Sequence, residues 1–217
     1  HKSPDNDCMG AAAGVCAIAR KKGVPAHIIR EAGSPPAKVL MDKLAHLEEY
    51  QDCFLSAQEA LLLADNRSLV VVVDTNRPEQ VQSLDLVQSC NRGASSASEL
   101  VTELLQYLLE PADLLRAEAE ALLAGVVLDT KQFTMRTGSR TFEAAAFLRR
   151  AGADTAEVKK LFQNDLEGTI AKYAIIQNAK LYREKIAIAV VDHTVGRIVA
   201  AQAADELLNI IGIDTSF

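Results

Sequence analysis

Residues 61–75 read LLLADNRSLVVVVDT, and the fold class turns on how that stretch is read. Ser68–Val73 is β-branched and apolar nearly throughout. Strands buried on both faces of a parallel sheet read as continuous apolar runs rather than as alternation. The segment is therefore predicted to be a central parallel strand, ending in Asp74-Thr75. A second short apolar run, GVVLDT (125–130), ends in the same way and is read as a strand entered from the helix PADLLRAEAEALLA. In open α/β sheets, ligands gather outside the carboxyl ends of the strands. Asp74 and Asp129 are thus expected at a functional edge.

Helices alternate with these runs. HKSPDNDCMGAAAGVCAIARKKG opens the chain and predicts a helix over 8–22, with Asp7 as N-cap and Gly23 as stop. Gly10, Ala11, Ala12, Ala13 and Gly14 leave one side almost bare, which suits close approach to a sheet. GVPAHIIREAG gives a short strand and PAKVLMDKLAHLEEY a helix. SSASELVTELLQYLL is a helix with a capping-box start from Ser96 to Glu99. TFEAAAFLRRAGADTAEVKKLFQNDLEGTIAKYAIIQNAKLYREK is helical with a break at AGADT. IAIAVVD and GRIVAAQAADELLNIIGID then read as strand and helix. The predicted class is α/β: a parallel-sheet domain flanked by helices (1–164), a linker helix (165–184) and part of a smaller α/β domain (185–217). The last piece is too short for a core of its own. Ile170, Tyr173, Ile175, Ile176 and Leu181 give the linker region more apolar surface than a lone linker needs; a homodimer contact and packing within the chain both account for it.

The 217 residues carry a net charge of -6, no Trp and few aromatics. Long nucleic acid is excluded as partner, since it demands a basic surface and stacking platforms. A small nucleotide held through metal ions is not, because the ions bring positive charge. Cys8, Cys16, Cys53 and Cys90 show no CxxC spacing, so a reducing compartment without a disulfide framework or zinc ribbon is expected. No apolar run reaches membrane-spanning length, and no membrane contact is expected of this segment. The chain starts without Met, in the middle of a motif, and reads as part of a longer protein.

His1, Asp5 and Asp7 place one imidazole and two carboxylates in a loop stiffened by Pro4. With Asp74 and Asp129 they make an oxygen-rich set of five, which suits Mn²⁺ or Mg²⁺ better than structural zinc. Carboxylates held together repel unless cations lie between them. Two metals about 3.5–4 Å apart with a bridging carboxylate resolve that repulsion and activate water for phosphoryl displacement. The plainer reading makes HxxxDxD a polar turn with a helix cap, and makes Asp74 the cap of a following turn.

These residues carry a resemblance. HKSPDND followed by GAAAG resembles the first motif of the DHH phosphoesterases, and VVVDT (71–75) the second. LDTKQFTMRTGSRTFEAAAFLRRAGAD (128–154) is similar to the fourth motif of the branch that hydrolyses cyclic di-AMP, the GdpP-type membrane-anchored phosphodiesterases; RPEQVQS and ASSASELVTELLQYL fit that branch too. The resemblance implies that His1, Asp5, Asp7, Asp74 and Asp129 hold two Mn²⁺ ions, with Mg²⁺ as the alternative, and that Asp74 bridges. Asp74 and Asp7 then carry catalysis, and the reaction is hydrolysis of the cyclic dinucleotide to linear pApA by metal-activated water. Arg136 and Arg140 are expected to face a phosphate, a surface salt bridge being the other reading. Ser95, with Ser96 and Ser98, is a candidate substrate contact, although a helix cap suits Ser96 better. The intact parent is expected to be anchored in the membrane, with this segment on the cytoplasmic face.

Two departures stand out. The Asp-His-His motif that names the family is absent between the second motif and ASSASEL. The Gly-rich, His-containing loop expected beyond DTSF is absent too. Cys90 to Ala94 is too short for a parallel crossover, so a missing intervening segment is expected. A true deletion would remove a His ligand together with its strand. His193, in VVDHT, reads as an ordinary turn residue. Other readings are an oligoribonucleotide phosphoesterase of the same superfamily and a nucleotide-binding module without turnover. An inorganic pyrophosphatase draws no support from RTGSRTF.

Overall fold

Helix α1 (Asn6–Lys21) begins two residues before the expected start. Its N-cap is Asp5, whose carboxylate accepts from the Asp7 and Cys8 N–H groups at 3.1 Å. Asp7 therefore lies inside the first turn, its side chain free for another task. The helix closes where predicted: Gly23 takes φ +66°, the left-handed value that favours glycine after a helix end. The computed structural model describes residues 3–30, 36–65, 67–75, 80–81, 98–163 and 165–217.

Those residues divide into two units, 1–161 and 162–217. In the first, β1 (Ile28–Ile29) pairs in parallel with β2 (Phe54–Leu55), Ile28 opposite Phe54. Helix α2 (Lys38–Ala45) and a 3₁₀ turn (Glu48–Tyr50) connect them. Helix α3 (Ala57–Leu63) follows, with a reciprocal Ser56–Glu59 capping box. Then come α4 (Ser98–Leu108), α5 (Arg116–Asp129), α6 (Ser139–Arg150) and α7 (Thr155–Lys160).

The centre of this unit is α5, whose residues Ala117–Val126 are all buried. Its two buried carboxylates, Glu118 and Glu120, are each ion-paired, as buried charges must be. It runs antiparallel to α1, with Gly10 against Ala121, Gly14 against Leu122 and Gly125 against Asp7. A Cβ at Gly10 would sit 2.4 Å from the Ala121 carbonyl oxygen, and one at Gly14 would sit 2.5 Å from Val101 Cγ1. The bare side of α1 thus serves close contact with helices, not with a sheet. Apolar packing around α2 and β1 completes the core: Met9, Ala13, Leu40, Met41, Leu44 and Tyr50 are buried together.

Two expected strands are not present among the described residues. GVVLDT continues α5 to Asp129. Val126 and Val127 lower helix propensity only slightly, and an uninterrupted alanine-rich helix leads into them. Ser68–Val73 joins no sheet among the described residues; Val70–Val73 are half-buried and without ladder partners. β-propensity reflects fit to a pleated surface supplied by neighbours, so a β-branched run makes no strand by itself. The class is still α/β, with its parallel pairing at β1–β2.

In the second unit, Asp165 caps α8 (Leu166–Gln177). The helix stops well before the expected 184, because Ala179–Tyr182 is strand β3. β3 pairs antiparallel with β4 (Ile186–Ala189) across a tight turn in which Arg183 and Glu184 take positive φ. Helix α9 (Arg197–Leu208) then carries the chain to β5 (Thr215–Ser216), parallel to β4. Ile175, Ala187, Ala203 and Leu207 are buried here, whereas Ile170, Tyr173 and Leu181 are exposed. No helix among the described residues is long and apolar enough to cross a membrane.

Candidate functional site

Asp7 is the anchor. It is buried, and its Oδ1 accepts the Ser98 N–H at 3.0 Å while Ser98 Oγ donates to the Asp7 carbonyl at 2.8 Å. Ser98 opens α4, so the carboxylate meets an N–H with no partner inside the helix, at the positive end of the helix dipole. Gly125 makes this possible: a Cβ there would lie 2.8 Å from Asp7 Cα and 2.2 Å from Ser98 Oγ. Burial pushes the Asp7 carboxyl up; the Ser98 bonds work against that, and Asp129 and Asp5 push it further.

Asp5, Asp7, Asp74 and Asp129 line one cleft of about 350 Å³, together with Leu128, Lys131, Met135 and Arg136. Asp74 is pushed up to about 7, first by burial, then by Asp7 and Asp5, and it shares a side-chain hydrogen bond with Asp7. It sits at φ +56°. Asp129 ends α5, where a carboxylate faces the negative end of the helix dipole. Arg136 Nη1 lies 3.7 Å from it, both side chains being largely solvated. The turn that carries Lys131, Gln132, Phe133 and Arg136 holds all four at positive φ, and Phe133 stacks on Phe142 of α6 with centroids 5.6 Å apart. Backbone in sparsely populated regions persists only where the surroundings enforce it, and it gathers at functional sites.

Four of the five expected metal ligands therefore meet in one cleft, though by a different route. Among the described residues, Asp74 and Asp129 arrive from an extended segment that joins no sheet and from a helix end, not from two strand ends. His1 and Ser95 lie outside the described residues. Arg140 does not line the cleft; its guanidinium pairs with Glu103. Ser98 serves Asp7 rather than facing the cleft. Gly125 and Lys131 were not singled out from the sequence. For Gly125, a glycine in the middle of a helical run was the available signal.

The donors are carboxylates, the chemistry preferred by hard divalent cations. Among the described residues, no three His, Cys, Asp or Glu side chains stand close enough to hold one ion. Asp7 raises the Asp74 carboxyl both by its charge and by a side-chain hydrogen bond, as carboxylates crowded together do. The set fits a divalent metal in kind: four carboxylates crowded at one cleft.

The model of the DHH family, N-terminal domain, matches residues 1–126. The chain is 35% identical to the cyclic-di-AMP phosphodiesterase PdeA of Listeria monocytogenes, over 245 residues that take in all of this chain and 37% of the relative. It is 35% identical to the cyclic-di-AMP phosphodiesterase GdpP of Bacillus subtilis, covering 38% of that protein. The chain thus spans little more than a third of these relatives. The first match is longer than the chain's 217 residues, so the relative carries residues without counterparts here. An exopolyphosphatase-related protein from Bacteroides fragilis shares the fold, with a TM-score of 0.75 at 17% identity over 97% of this chain and 71% of the other.

Proposed function

The chain belongs to the DHH family, and from that premise we propose that it hydrolyses cyclic di-AMP to linear pApA with two manganese ions at the carboxylate cleft. The observation that carries the proposal is the meeting of Asp5, Asp7, Asp74 and Asp129 on one cleft. The names of the relatives supply the substrate. Residues 1–164 would then form the catalytic domain, 165–184 the linker and 185–217 part of a substrate-binding domain.

Asp5, Asp7, Asp74 and Asp129, with His1, would hold the ions, Asp74 being shared between them. Bound metal supplies an activated water and neutralises charge at the phosphate. The protein's part is to fix the ligands. Asp5 is held by the first turn of α1, and Asp7 by Ser98 from behind. Burial keeps bulk water from screening the carboxylates of Asp7 and Asp74. Arg136 stands at the rim, long and solvated, able to leave Asp129 for a phosphate, two of whose oxygens accept from the guanidinium in bidentate fashion. Leu128 and Met135 give the same cleft an apolar wall.

The missing Asp-His-His motif supports a second reading, a module that binds the nucleotide without turnover. Incubation of cyclic di-AMP with this chain and with the intact parent, in Mn²⁺ and then in excess chelator, separates the two. Metal-dependent release of pApA is expected. Measurable binding without turnover in either protein would establish the binding module. Cleavage of linear two-residue RNA in preference to the cyclic compound would point to an oligoribonucleotide phosphoesterase.

A further inference from the structure

Cys16 and Cys53 place their sulfurs 3.8 Å apart, on residues that take no part in the carboxylate cleft. Cys16 projects from α1, and Cys53 immediately precedes β2. The backbone at Cys53 is fixed by the Ile28 N–H, which donates to its carbonyl at 2.7 Å. Both residues belong to one packed cluster with Met9, Ala13, Ile28 and Tyr50, so neither backbone is free to drift from the other. Each is less than a tenth exposed, yet both line a second cleft of about 330 Å³ shared with Arg20, His27, Tyr50 and Asp52. Two thiols in van der Waals contact at a cleft wall differ from two small core residues in that a small oxidant can reach them.

We propose that Cys16 and Cys53 are a redox-modification site, closing to a reversible disulfide when a hydroperoxide enters this cleft. In the first step the Cys53 thiolate attacks the peroxide; an S–O bond forms, the O–O bond breaks, and the departing oxide takes a proton to leave as water or an alcohol. In the second, Cys16 sulfur attacks Cys53 sulfur; the S–S bond forms, the S–O bond breaks, and the Cys16 proton leaves with the hydroxide as water. The two thiols lose two electrons in all and the peroxide gains them. The S–S bond is about 2.05 Å, so from 3.8 Å the sulfurs must close by less than half of the present gap. The order of attack follows from the microenvironment. The hydrogen bond from Cys16 holds the Cys53 thiol below its ordinary range, whereas the same bond, then burial, pushes Cys16 up. The oxidised form ties the middle of α1 to the start of β2 and closes a loop from 16 to 53, which constrains the unfolded chain. A reducing compartment keeps the pair as thiols at rest, with closure confined to oxidant exposure.

The test is thiol mapping on the full reduced 217-residue chain. It is exposed to hydrogen peroxide, unfolded, alkylated, digested and read by mass spectrometry. The expected product is a Cys16–Cys53 linked peptide with loss of two of the four thiols, reversed by dithiothreitol, and a melting temperature raised by several degrees until reduction. Full alkylation of Cys16 and Cys53 after peroxide would overturn the proposal. So would linkage through Cys8 or Cys90, or Cys53 advancing to sulfinic acid beside an intact Cys16. In Cys16→Ser, whose hydroxyl keeps a hydrogen-bond donor beside Cys53 while removing the second thiol, Cys53 is expected to accumulate a dimedone-trapped sulfenic acid. Trapping on Cys16 in Cys53→Ala instead would overturn the step as written. The wild-type mapping stands even if either variant folds poorly.

Discussion

The antiparallel pair of α1 and α5 buries carboxylates at both ends, and the two ends treat them differently. At one, Glu118 is fully buried and every neighbour answers its charge. Arg20 Nη2 donates at 2.8 Å, its Nη1 pairs with the other oxygen, the Tyr50 hydroxyl donates at 2.8 Å, and the Leu115 N–H at 2.9 Å. Arg20 lies in the last turn of α1 and Glu118 in the first turn of α5, both favoured by the helix dipoles. At the other end, Asp7 has Ser98 behind it, but Asp5, Asp74 and Asp129 are its electrostatic neighbours, and Asp129 sits at the wrong end of its helix for a carboxylate. One end is neutralised and structural. The other crowds four carboxylates on one cleft beside Lys131 and Arg136, an arrangement that suits a site built to receive a cation.

The largest break in that comparison comes at Asp74. Asp74→Asn keeps a residue that tolerates positive φ while removing one of the crowded charges. Hydrolysis of cyclic di-AMP is expected to fall by roughly 10³-fold or more, and the melting temperature in chelator to stay level or rise. A variant with near-normal rate would end the case for a shared ligand; one that melts much lower would make this carboxylate structural.

Glu118→Gln probes the opposite end. It leaves Arg20 without its anion and is expected to lower unfolding free energy by about 3 kcal/mol or more, read by urea denaturation. A loss under about 1 kcal/mol, the scale of surface pairs, would show that the network is weaker than its geometry.

Gly125→Ala joins both themes, because its Cβ enters the space of Asp7 and Ser98. Overpacking of this kind costs about 1–3 kcal/mol. The same variant is expected to lose turnover out of proportion to stability, since what it displaces is a ligand. Activity and stability falling in step would mean that Gly125 serves packing alone.

The smallest effect is a pH dependence. Burial works to raise Glu120, but Lys43 at 2.5 Å and Arg116 at 2.8 Å prevail and hold it below its ordinary 4.5. A carboxyl depressed in the folded state adds stability above its unfolded value and loses it as pH falls through the folded one. Urea midpoints are therefore expected to drop as pH is lowered below about 4.5, with Glu120→Gln less stable at neutral pH and flatter in acid. An equal acid slope in the variant would assign the loss to other groups.

Much of the site was legible in the sequence. Asp5, Asp7, Asp74 and Asp129 are short acidic residues at ends of apolar or glycine-rich runs, and such positions collect chemistry whether the run is strand or helix. The route by which they meet was not legible. GVVLDT and SLVVVVDT share a local pattern, but one is the last turn of a buried helix and the other an extended segment without described partners. A short apolar run does not reveal its own period. Arg140 and Arg136 look alike in RTGSR, yet one pairs with Glu103 and the other stands at the cleft. That choice depends on where α4 lies.

By itself, the sequence determined the chemical kinds at the site, the helix end marked by Gly23, the small face of α1 and the family. Local capping, glycine geometry and motif spacing are properties of short stretches. Only the tertiary structure decided that the small face meets α5 rather than a sheet, that Ser98 and Gly125 hold Asp7, and that Cys16 meets Cys53. Those are contacts between residues far apart in the chain, and no local preference encodes which surface a helix will find.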